Sequence, residues 1–130
     1  MNTKCRDCKY LEARKKRSGI GRNGGIIMTP EQFEVLINKQ MDTCMNVLVH
    51  KAAEYATEDR LHNFRVAAAV EGITPRQALA GMMAKHTVSV YDMCRAGDYS
   101  LDQWVEKITD SINYLLLLWA LVVDEEEEDA

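Results

Sequence analysis

A chain of 130 residues that is 47% hydrophobic with a net charge of −4 has the size of one domain and enough apolar residues for a modest core. Its longest apolar run, Tyr114 to Val123, is far shorter than the roughly 20 residues of a membrane span, so a spanning protein is excluded. The first residues do not combine a basic stretch, an apolar run and a small-residue cleavage site, so a cytoplasmic protein with four reduced cysteines is expected.

The charge is polarised along the chain. Eight basic residues up to Arg22 (Lys4, Arg6, Lys9, Arg14, Lys15, Lys16, Arg17, Arg22) face only Asp7 and Glu12, a surplus of six. Asp124 to Asp129 is an unbroken run of six acids. Residues 1–28 read as a basic, flexible arm and 124–130 as an acidic tail, both solvated; the sharper reading brings the arm to phosphate, nucleic acid or the acidic tail of another copy. Cys5-x2-Cys8 is half of a zinc motif without its second half, since Cys44 and Cys94 fall within helical stripes as small hydrophobes. SGIGRNGG (18–25) is a glycine-rich connector; no Gly-Lys-Ser/Thr follows it, which argues against a phosphate loop.

The bundle domain spans 29–123. Three helix starts share one chemistry: Thr29-Pro30-Glu31-Gln32, Thr74-Pro75-Arg76-Gln77 and Ser100-Leu101-Asp102-Gln103, each a hydroxyl cap with Gln three residues on. The pattern predicts helices over about 30–56, 60–71 (stopped by Gly72), 75–95 and 101–123, with short links and no strand signal. The expected fold is all-α, an up-and-down bundle of three long helices and one short helix.

On the first helix, Phe33, Leu36, Ile37, Cys44, Val47 and Leu48 recur at helical spacing, and the same face continues as Lys51, Glu54, Tyr55 and Glu58. Charges on a core-facing arc cost several kcal/mol each unless paired, ligated or hydrated, so this arc is expected to line a polar site. On the fourth helix, Trp104, Val105, Ile108, Ile112, Leu115 and Trp119 form the expected main core face. Roughly opposite, Glu106, Asp110 and Asn113 lie on an arc that becomes Leu117, Ala120 and Leu121. A cover that reaches Leu117 should reach Asn113. Glu54, Glu106 and Asp110 are therefore the candidate Mg²⁺ ligands and catalytic carboxylates, with Lys51 and Lys85 as point charges on phosphate. His86 sits within the Leu79, Met82, Met83, Val90 stripe of the third helix, flanked by Lys85, Ser89 and Asp92. It reads first as a hydrogen-bonded core histidine and second as part of the mouth of an anion site. His50 and His62 have no ligand-like spacing.

The strings HKAAEYATEDRLHNF, GMMAKHTVSVYDM and EKITDSINYLLLLWALV resemble small phage and prophage proteins of the nucleotide-modification-associated domain type, over roughly residues 50–123. Their ordered K-x-x-E-Y, N-F, K-H and D-x-x-N-Y elements correspond to Lys51, Glu54, Tyr55, Asn63, Phe64, Lys85, His86, Asp110, Asn113 and Tyr114 here. More distantly, the two acidic helices are similar to MazG-type all-α nucleoside triphosphate pyrophosphohydrolases, whose paired carboxylates hold Mg²⁺. In this chain one such carboxylate is replaced by Lys51, and the second pair is Glu106-x3-Asp110. The resemblance implies a nucleotide ligand, Mg²⁺ as cofactor and host-cell cytoplasm as the location. Its enzymatic form is hydrolysis between the α- and β-phosphates, with Tyr55 or Phe64 stacking on the base. Two alternatives are a sponge that captures a signalling nucleotide, such as a cyclic one, against host defence, and a non-catalytic interaction module. A homo-oligomer built on the fourth helix is expected, because Leu115 to Val123 is apolar on nearly every side.

Overall fold

A computed structural model describes residues 27–51 and 59–129. The described residues form α1 (Pro30–Met45), a π-helical continuation (Asn46–Lys51), α2 (His62–Glu71), α3 (Pro75–Arg95) and α4 (Leu101–Glu128). The architecture is the expected all-α bundle, with no strand among the described residues.

All three capping boxes form. Thr29, Thr74 and Ser100 each accept a hydrogen bond from the backbone N–H of the Gln three residues on, and that Gln's side chain accepts one from the cap's own N–H. Each box satisfies two donors that a helix start leaves orphaned, which is why these boundaries are legible locally. Gly72 ends α2 in the left-handed conformation, φ 70°, which a side chain rarely adopts. Before α2, the backbone N–H of Leu61 donates to Asp59 at 2.9 Å.

α3 and α4 are antiparallel neighbours: Leu79 packs with Leu121 at one end of the pair, and His86 meets Tyr114 further along. α2 lies on α3, and the core is the cluster Leu61, Phe64, Leu79 and Leu121, with Met82, Tyr114, Leu117 and Leu118 against it. α1 packs on α4, where the Gln40 amide donates to the Thr109 hydroxyl at 2.8 Å. Further along, Arg60, next to core Leu61, reaches the Leu48 carbonyl. α1 therefore runs in the same direction as α4, giving an up, down, up order of the three long helices.

Three expectations are corrected. First, the initial helix is not uniformly α: residues 46–51 are π-helical, and each π turn takes up about one more residue than an α turn. Residues after Met45 thus fall behind their α-helical phase. Of the expected Phe33 to Leu48 stripe only Cys44 is buried; Phe33 and Ile37 are exposed.

Second, α4 turns the other way. Its buried positions are Thr109, Asn113 and Leu121, whereas Trp119 and Leu115, assigned to the main core face, are 66% and 55% exposed. Because α4 is apolar almost all round from Leu115 to Val123, hydrophobicity does not choose the inner face. Packing of α3 on the Tyr114, Leu118 and Leu121 side does.

Third, α4 does not stop at Val123 but runs to Glu128, through most of the acidic run. Glutamate is a good helix former, but acids at a helix C-terminus oppose the dipole. Two arginines offset this: Arg65 pairs with Asp124 at 2.5 Å, and Arg76 pairs with Glu125. Arg65 also binds Asp59 at 2.9 Å, tying the entry of α2 to the end of α4. Its guanidinium is held above its ordinary range, chiefly by the Asp124 hydrogen bond.

Candidate functional site

α3 and α4 bring the chemistry-bearing residues together along their seam. His86 is mostly buried, its ring 4.9 Å from that of Tyr114 and tilted by 35°. His86 Nδ1 lies 3.6 Å from Asp110 Oδ2, within ion-pair reach for a protonated imidazole but too far for a hydrogen bond. One turn on from Asp110, Asn113 is only 6% exposed, and its side-chain carbonyl oxygen has no partner among the described residues. An unpaired buried carbonyl costs about 1–3 kcal/mol, so an N–H or O–H donor that reached this oxygen would recover that cost.

Toward the α3–α4 turn the seam opens into a cavity of about 260 Å³ lined by Ser89, Asp92, Met93, Tyr99, Gln103, Glu106 and Lys107. That is just under the roughly 300–1,000 Å³ of sites for drug-sized ligands, enough for part of a nucleotide. Asp92 and Glu106 outnumber Lys107 there, and Asp110 adds a further carboxylate one turn away. Tyr99 is positioned by the turn: Gly97 has φ 107°, a Cβ there would lie 3.3 Å from the Tyr99 ring, and Tyr99 packs edge-on against Trp104. The positive φ favours glycine at 97, and a Cβ there would also crowd the Tyr99 ring.

The expected residues distribute unevenly. His86, Asp110 and Asn113 form one cluster, and Asp92 and Glu106 line the adjoining cavity. Lys85 is exposed on α3. Phe64, expected as a stacking platform, is instead core, 6% exposed against Leu61, Leu79 and Leu121, and Asn63 beside it is exposed. Glu54 and Tyr55 lie outside the described residues, as do Glu58, Cys5 and Cys8, and of Lys51 the backbone alone is described. Cys44 is buried and accepts a long hydrogen bond from Gln40, whereas Cys94, expected as a small hydrophobe, is exposed. Tyr99, Gln103 and Lys107 were not expected in the site. The signal for them was their nearness to the Gly97 turn that closes α3 onto α4.

Among the described residues no three acidic, histidine or cysteine side chains converge as a metal site. Glu106 and Asp110 supply two carboxylates on one arc, so a set of three with the expected geometry needs Glu54. No helix among the described residues is long and apolar enough to cross a membrane. No family model matches the chain, and comparison with curated proteins and with solved structures gives no match either.

Proposed function

We propose that the chain binds a nucleotide, or a nucleotide-derived phosphate compound, along the α3–α4 seam as its Mg²⁺ complex. The observation that supports this best is the juxtaposition of a half-buried histidine–carboxylate pair, a buried carbonyl oxygen without a partner and a cavity lined by two further acids. An acid-rich cleft admits phosphate only together with a cation, and carboxylate oxygens suit a hard one. In this reading Glu106 and Asp110 hold the cation, Lys85 contacts phosphate, and Asn113 accepts a hydrogen bond from the ligand. Asp92 and His86 line the remainder. With Glu54 as third carboxylate the site is that of a nucleoside triphosphate pyrophosphohydrolase, in which the bound metal supplies an activated water.

The second reading is capture without turnover. It is favoured by Lys51, a cation standing where the pyrophosphohydrolase pattern has a carboxylate. One experiment separates the two: a panel of nucleotides, cyclic dinucleotides included, is incubated with the protein and Mg²⁺ and then chromatographed. Product exceeding protein in moles establishes hydrolysis, and stoichiometric loss of a ligand that returns intact on denaturation establishes capture. Asp110→Asn is expected to weaken Mg²⁺-nucleotide binding by about tenfold, the loss of one charge-assisted contact. Unchanged affinity in that variant, or no nucleotide retained under any condition, overturns the proposal.

A further inference from the structure

Resting on the nucleotide reading above, we propose that α1 gates the ligand site: packed on α4 it seals the Asn113 side-chain oxygen, and a bound nucleotide holds it away.

The seal follows from the register of α1 on α4. Gln40 donates to Thr109 across the contact, and the two helices run in the same direction. One turn further on, Cys44 of α1 and Asn113 of α4 therefore come to the same level. Cys44 is fully buried, and α4 is the helix on which α1 packs, so the thiol is pressed against α4 there. Round α4, Asn113 lies about 40° from Thr109, which faces α1, and about 80° from Leu121, which packs with Leu79 of α3. The Asn113 oxygen thus sits in the notch between α1 and α3, buried and without a partner among the described residues.

A ligand that donates to this oxygen has to displace one wall of the notch. α3 is fixed by the core it shares with α2 and α4, built on Leu61, Phe64, Leu79 and Leu121. α1 contributes Cys44 to the buried residues and grips α4 through the Gln40 to Thr109 hydrogen bond. Its α-helical ladder also gives way at Met45 to the π-helical stretch 46–51, one of the few features at which helices bend sharply. The wall that yields is therefore α1. A ligand that binds only the open form draws the protein toward that form, and the closed population in turn lowers the apparent affinity.

Iodoacetamide labelling of the full chain, resolved by peptide mass spectrometry, reads the opening at Cys44, with exposed Cys94 as the control for thiol reactivity. Below the unfolding transition the Cys44 rate is expected to be nearly independent of urea, because opening α1 exposes far less surface than global unfolding. The Mg²⁺ complexes of the four ribonucleoside triphosphates, of cyclic di-AMP and of cyclic di-GMP are then added singly. A retained nucleotide is expected to speed Cys44 labelling several-fold. Thr109→Val, which deprives Gln40 of its acceptor, is expected to raise both the basal Cys44 rate and the affinity for that nucleotide several-fold. A Cys44 rate that climbs with urea as steeply as global unfolding overturns the gate and leaves the nucleotide reading standing. So does a retained nucleotide that leaves the Cys44 rate unchanged or slows it, or a Thr109→Val protein of equal or lower affinity. Retention of none of these nucleotides by either protein overturns the nucleotide reading, and the gate with it.

Discussion

The Gln40 amide donates to the Thr109 hydroxyl at 2.8 Å across 69 positions of sequence, and it does so at a buried threonine. α1 buries one residue completely, Cys44, and Gln40 holds that thiol as well. A helix attached through so few buried groups opens more readily than the α3–α4 pair, which encloses Leu79 and Leu121.

Thr109→Val keeps the shape and removes the acceptor. It is expected to lower stability by about 1 kcal/mol, the net worth of a typical hydrogen bond, because half-buried Gln40 can turn to water. Hydrogen exchange locates the effect: amides of α1 should lose protection while those around Leu79 and Leu121 keep theirs. Uniform loss across all helices would show that α1 is not a separate opening unit.

Asn113→Leu separates a ligand-binding role from a packing role. The variant removes a buried carbonyl that has no partner among the described residues, so stability should hold or rise by up to about 1 kcal/mol. Nucleotide retention should fall at the same time. A fall in the urea midpoint of the ligand-free protein would mean instead that Asn113 is paired within the protein.

Asp59 makes stability depend on acid. The Leu61 backbone N–H, and after it Arg65, hold the Asp59 carboxyl below the ordinary carboxylate range. A folded value below the unfolded one means the unfolded chain takes up the proton more readily, so the contribution is present above about pH 4 and lost as pH falls further. Urea midpoints measured from pH 6 to pH 2.5 should fall less steeply for Asp59→Asn than for the parent. Parallel curves would remove Asp59 from the acid response.

The amino-acid sequence by itself determined what is local. Three hydroxyl–glutamine boxes and Gly72 mark helix ends because their hydrogen bonds and backbone angles close within four residues, and α3 spans 75–95 as its pattern implies. The arc from Glu106 to Leu117 was legible in the same way, and its central residue Asn113 is buried as the apolar continuation required. Tertiary structure decided the rest. Which side of α4 faces inward depends on where α3 lies, since apolar residues surround that helix at its C-terminal half. The phase of residues 46–51 depends on a π-helical stretch that no spacing rule announces. Arg65 and Arg76 carry α4 past Val123 into the acidic run through pairs separated by 59 and 49 positions, and only folding brings those charges together.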